Sequence, residues 1–112
     1  MTVVDATKEN FDELTGSGLV LVDVWAESCR PCVALGPHME SLADENPDLT
    51  VVKVDASKAR RLVMSLQVRG LPTVLLLRDD QEVSRISEPN LTPEQLDEWL
   101  STTLAELPAK EA

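Results

Sequence analysis

The stretch Leu19–Trp25 is apolar at every position except Asp23, so it lacks the alternation of a strand wetted on one face. A continuous apolar run of this length reads as a strand covered on both sides, as in the middle of a parallel sheet. On its N-terminal side, residues 2–4 form a short β-type segment. Thr7 stands in position to cap a helix over 8–14, with Phe11 and Leu14 three apart on one face. Gly16-Ser17-Gly18 breaks that helix.

Beyond Trp25 the pattern turns helical over 29–45. Pro31 suits its first turn, whereas Pro37 lies inside and is expected to kink it. Asn46-Pro47-Asp48 ends the helix, and residues 50–54 give a third strand. Ser57 is placed to cap a further helix through 66, burying Leu62 and Leu66. A turn at 69–72 leads to an apolar strand over 73–77. The polar segment 79–81 is short enough to return the chain as an antiparallel hairpin over 82–86. Thr92-Pro93-Glu94-Gln95 combines a cap, Pro at the first helical position and an acid in the first turn. Leu96, Trp99, Leu100 and Leu104 then recur at helical spacing, and residues 106–112 read as a frayed tail.

Five strands and four helices in this order imply an α/β fold: one mixed sheet with helices on both faces. A chain of 112 residues is one domain, expected over 1–105 with 106–112 as tail. Hydrophobic residues make up 43%, enough for a core, but one Phe, two Trp and no Tyr make that core aliphatic. The formal net charge of −10 argues against nucleic acid and against anionic membrane surfaces as partners. The first residues lack the basic-then-apolar order of a signal peptide, and no apolar run approaches membrane-spanning length. Two cysteines are too few for a secreted disulfide scaffold and suit a reducing, cytoplasmic setting.

Those two cysteines, Cys29 and Cys32, stand at the junction between the long apolar strand and its helix. A thiol attacks a disulfide only as thiolate, so a reactive cysteine needs a group that stabilises negative charge. Helix N-termini do so, and three residues' spacing brings both sulfurs to one helical face within bonding reach. Cys29, nearer the end, is the expected attacking thiol, and Cys32 the resolving one. Two other readings stay open: half of a metal site that borrows ligands from elsewhere, since His38 is the only histidine, or two inert buried thiols. Asp23 is either a buried proton acceptor for Cys32, with Lys53 as neighbour if their strands pair, or a carboxylate solvated at a strand end. Pro72 is either a plain turn residue or the cis-proline of a loop facing the disulfide. His38 is expected on the solvent side.

From residue 5 to 104 the chain resembles the thioredoxin family. The resemblance rests on Leu21-Val22-Asp23-Val24-Trp25-Ala26-Glu27, Cys29-Arg30-Pro31-Cys32, Pro37, Val52-Lys53-Val54-Asp55 and Gly70-Leu71-Pro72-Thr73 in that order. It implies the thioredoxin fold, a central mixed five-stranded sheet flanked by four helices. It also implies a thiol–disulfide oxidoreductase that reduces or exchanges disulfides in proteins, with no cofactor beyond the Cys29–Cys32 disulfide. Asp23 would be the buried acid with Lys53 near it, and Pro72 would be cis. The substrate-facing residues would be Trp25, Arg30, Pro31, Gly70 and Leu71, the backbone near Leu71 pairing with an extended target segment. Trp25 has a plainer reading as a packing aromatic. The partners implied are disulfide-containing proteins and an electron donor like thioredoxin reductase, with the chain acting as a monomer.

Four positions depart from the family pattern. Ser28 and Arg30 replace its usual Trp and Gly, Glu88 or Pro89 stands where a groove glycine is common, and the hairpin turn has no glycine. The redox pair is intact while the rim is changed, so the usual reductase and targets are not a given. A second class of function follows from that rim, a thioredoxin-fold interaction module with a dedicated partner and little turnover. Arg30, a cation beside Cys29, is expected to stabilise its thiolate and make the protein the stronger oxidant.

Overall fold

The computed structural model describes residues 3–108. Its strands are β1 (Val3–Ala6), β2 (Leu19–Trp25), β3 (Leu49–Asp55), β4 (Thr73–Arg78) and β5 (Gln81–Ser87). Its helices are α1 (Phe11–Thr15), α2 (Arg30–Glu45), α3 (Arg60–Ser65) and α4 (Pro93–Glu106). The strands form one sheet in the order β1-β3-β2-β4-β5. β2 lies at its centre, parallel to β3 and antiparallel to β4, and β3 also pairs in parallel with β1.

The alternation of side chains across β2 divides the interior into two layers. Val20, Val22 and Val24 meet Phe11 of α1 and Leu62 of α3. Leu21 faces the other way, into a layer made by Leu35, Met39 and Leu42 of α2 and Leu96 and Leu100 of α4. Asp23 shares the parity of Leu21 and is fully buried. The strand end at Trp25, the start of α2 and the start of β4 come together at one edge, because Val24 is paired with Thr73.

Several boundaries differ from expectation for identifiable reasons. α1 begins at Phe11, and Asn10 rather than Thr7 precedes it. The Asn10 carboxamide oxygen instead accepts from the Thr7 backbone N–H at 2.6 Å, folding residues 7–10 into a turn. Ser57 does not cap α3; its N–H and hydroxyl both donate to Asp55 Oδ1, and α3 starts after Ala59. Short polar side chains bond the nearest backbone, and here that local bond won. α2 is one 16-residue helix with Pro37 inside it. At α4 the expected capping box is present, Thr92 and Gln95 bonding each other's backbone N–H. Glu106 is the last residue of that helix, and the Pro108 carbonyl accepts from Arg78 at 2.6 Å. Residue 2 of the expected first strand and 109–112 of the expected tail lie outside the described residues.

The β4–β5 hairpin turns on Asp79 and Asp80, both at positive φ (50° and 72°). Glycine or asparagine ordinarily fills such a turn. Part of the strain at Asp79 is offset by a reciprocal pair of bonds with Gly18: its N–H donates to the Gly18 carbonyl at 2.9 Å and its Oδ1 accepts the Gly18 N–H at 2.8 Å. The same bonds tie the hairpin to the start of β2.

Candidate active site

Cys29 is the N-cap of α2, with extended backbone, and its sulfur accepts the Cys32 N–H at 3.3 Å. That donor is one of the unpaired N–H groups every helix start presents, and it points at the Cys29 sulfur. The two cysteines are joined as a disulfide, their Cα atoms 5.2 Å apart. Exposure separates them: Cys29 is half-buried, while Cys32 is only 2% exposed. Pro31 needs no N–H at this position, and Arg30 is exposed at the first helical residue.

The strand below supplies the acid. Asp23 pairs in register with Lys53 across β2 and β3, and neither of its carboxylate oxygens has a hydrogen-bond partner. Burial therefore raises its pKa from 3.8 to about 7, against an opposing pull from the Lys53 charge. The Lys53 ammonium lies over the Trp25 ring, 4.5 Å from its centroid. The Trp25 indole N–H is itself buried without a partner. Trp25, Glu27 and Lys53 line a cavity of about 310 Å³ beside this strand end.

Opposite, the Leu71–Pro72 peptide bond is cis and Pro72 is buried. Thr73, which carried no role in the sequence reading, fixes this loop: its hydroxyl is 2.6 Å from the Gly70 carbonyl and 2.7 Å from the Ser87 hydroxyl. Gly70 is exposed and Leu71 half-buried. Arg85 was also missed. It donates to the Leu66 and Gln67 carbonyls, where α3 ends, and to both oxygens of Glu82. A threonine between a proline and an apolar run is a readable signal, whereas the carbonyls that Arg85 binds are 18 or more residues away. His38 is partly exposed, as expected, but is not without a partner. Its Nε2 lies 2.5 Å from Asp97 Oδ1, linking α2 to α4.

The structure thus gathers Cys29, Cys32, Asp23, Lys53, Trp25, Arg30, Pro31, Gly70, Leu71 and Pro72 at one end of the sheet. Among the described residues no group of three or more His, Cys, Asp or Glu is arranged to hold a metal ion. No helix among them is long and apolar enough to cross a membrane. A vicinal disulfide-forming pair at a helix N-terminus, on a mixed sheet flanked by two helical layers, defines a dithiol–disulfide exchange protein.

Comparison with known proteins agrees. The thioredoxin family model matches residues 2–102. A putative thioredoxin 2 of Streptomyces coelicolor is 38% identical over 94 residues, covering 83% of this chain and 69% of that protein. The thioredoxin of Bacillus subtilis is 37% identical over 84 residues, covering 74% and 81%. The crystal structure of a Malassezia sympodialis thioredoxin superposes with a TM-score of 0.80 over 92% of this chain and 94% of that one, at 22% identity. The chain belongs to the thioredoxin family and is a thiol–disulfide oxidoreductase.

Proposed function

We propose that Cys29 is the attacking cysteine and Cys32 the resolving one. The single observation that carries this is their difference in exposure, with the Cys32 N–H directed at the Cys29 sulfur. In the reduced protein the Cys29 thiolate attacks a substrate disulfide, breaking it and forming a mixed disulfide. The first substrate sulfur leaves and takes a proton. Cys32 then attacks the Cys29 sulfur, its proton passing to the Asp23 carboxylate, and the second substrate thiolate leaves. Two electrons have moved to the substrate, and the protein holds the Cys29–Cys32 disulfide.

Asp23 suits this part because a carboxyl titrating near 7 can accept a proton at neutral pH and release it again. Lys53 moderates the carboxylate's charge and holds Trp25 by its ammonium. Trp25, Arg30, Pro31, Gly70 and Leu71 form the rim against which the substrate lies. No hydrogen bond runs from the Leu71 backbone to another described residue, so its N–H and carbonyl suit strand addition by an extended target. The substrates are disulfide-bearing proteins and the electron donor is a reductase of thioredoxin-reductase type, in the cytoplasm. No bound cofactor is used beyond the disulfide itself.

Reduction of insulin by dithiothreitol tests this reading. Strong acceleration by the protein, abolished in Cys29→Ser, is the expected result. No acceleration at all would favour a thioredoxin-fold module serving a dedicated partner.

A further inference from the structure

The chain is strongly acidic overall, at −10, yet four of its ten Lys and Arg residues share one place. Lys8, Lys58, Arg60 and Arg61 line one cleft of about 340 Å³ between the segment after β1 and the start of α3. Glu9 is the single carboxylate on that wall. All four cations are exposed, and among the described residues none is held in an ion pair. Arg85, which pairs with Glu82, lies elsewhere. An unneutralised cluster of this kind creates a local potential opposite in sign to that of the whole molecule.

The cleft also has a defined place relative to the disulfide. Lys58 and Ala59 line both it and the cavity that contains Trp25 and Glu27, so the two spaces abut. Glu27 is two residues before Cys29 in the chain. Near the disulfide the walls are mixed in sign, with Asp5, Glu27 and Asp55 against Lys53 and Lys58. Farther out they are basic. A partner reading this surface would place neutral or mixed residues at its own disulfide and acids at some remove.

We propose that this basic cleft docks an acidic segment of the protein substrate, a run of Asp and Glu displaced from the disulfide being reduced. The proposal rests on the reading of Cys29 as the attacking thiol. An acidic partner is repelled by most of this molecule and attracted by one cleft that abuts the cavity containing Trp25 and Glu27, so charge both orients the encounter and selects among disulfides. A polypeptide fits better than a nucleic acid, because the cleft has no aromatic side chain on which a base could stack.

The test is single-turnover reduction by the pre-reduced protein, whose own dithiol supplies both electrons. Three disulfide-bridged peptides share one sequence around the disulfide and differ in flanks of Glu, Gln or Lys. The wild type is expected to reduce the Glu-flanked peptide about tenfold faster than the Gln-flanked one at low salt, the difference shrinking as salt is added. Lys58→Glu with Arg61→Glu is expected to erase that preference while leaving the rate on hydroxyethyl disulfide, small and uncharged, unchanged. Equal rates of the wild type on all three peptides would overturn the proposal, as would an acidic preference that survives the double substitution. Failure of the wild type to reduce hydroxyethyl disulfide would overturn the assignment of Cys29 itself, and the docking surface with it.

Discussion

Asp23 and Lys53 stand opposite each other on the two central parallel strands, yet the lysine's ammonium is spent on the Trp25 ring and the aspartate is left without a hydrogen bond. A tight ion pair would have held Asp23 ionised. Instead desolvation outweighs the lysine's attraction, and the carboxyl titrates near 7. A carboxyl held in this state can exchange a proton at neutral pH, as the role proposed for Asp23 requires.

This relationship has a consequence for stability. Unfolded, Asp23 releases its proton near 3.8; folded, it does so near 7. Between those values the folded protein holds a proton that the unfolded chain has lost, so this group's contribution to stability falls as pH rises from about 4 to about 7 and is level above. Asp23→Asn removes that slope. Chemical denaturation of the oxidised proteins at pH 8 is expected to show the variant more stable by on the order of 4 kcal/mol, the gain fading towards pH 4. Parallel pH dependence of the two proteins would contradict the placement of Asp23.

Asp23→Asn also bears on chemistry. The attack of Cys32 on the mixed disulfide is expected to slow by roughly a hundredfold at pH 7. The inflection near 7 in that step's pH profile should disappear. Stopped-flow resolution of a preformed mixed disulfide measures both.

Arg30 is exposed at the first residue of α2, next in the chain to Cys29, the proposed attacking thiol. Its charge favours the Cys29 thiolate and hence the reduced form, although solvent screens an exposed cation. Arg30→Gly is expected to lower the reduction potential by about 10–20 mV, measured by equilibration with glutathione. An unchanged or higher potential would remove Arg30 from the account.

The Asp80 backbone sits at φ 72°, a conformation that costs a side-chain-bearing residue roughly 1–2 kcal/mol. Asp80→Gly relieves it, less the entropy glycine loses on folding. A gain of about 0.5–1 kcal/mol in denaturant titration is expected. A loss would mean that the turn depends on the Asp80 side chain.

Arg85 joins β5 to the end of α3 through the Leu66 and Gln67 carbonyls, just ahead of the loop that carries Pro72. The Glu82 carboxylate bonds it in turn, and that bond holds Glu82 below its ordinary pKa. Arg85→Ala is expected to destabilise the protein by about 1–2 kcal/mol and to speed hydrogen exchange across residues 66–71. Arg85→Lys should recover little, since one ammonium cannot serve two carbonyls and a carboxylate in the same geometry.

Much of this was legible in the chain. The apolar run of β2, interrupted only by Asp23, pointed to a central strand, while its residues alone left Asp23 between a buried acid and a carboxylate solvated at a strand end. Cys29 and Cys32 at a strand-to-helix junction pointed to redox exchange beside two other readings, and the resemblance to the thioredoxin family chose among them. What escaped was of two kinds. Thr7 and Ser57 sit where caps belong but lost to a neighbouring Asn and Asp that bond the turn, a contest between local bonds that spacing does not decide. Arg85 and His38 act on groups far along the chain, and only the fold brings Asp97 to His38 or the end of α3 to Arg85.

The order of the two cysteines is the central claim, and one measurement addresses it most directly. Cys29→Ser and Cys32→Ser proteins, each reduced, are mixed with a disulfide-bearing protein such as insulin, and the covalent adducts are identified by mass spectrometry. Cys32→Ser is expected to accumulate a mixed disulfide through Cys29, and Cys29→Ser to give none at comparable times. An adduct that forms through Cys32 in Cys29→Ser as fast as through Cys29 in Cys32→Ser would contradict it.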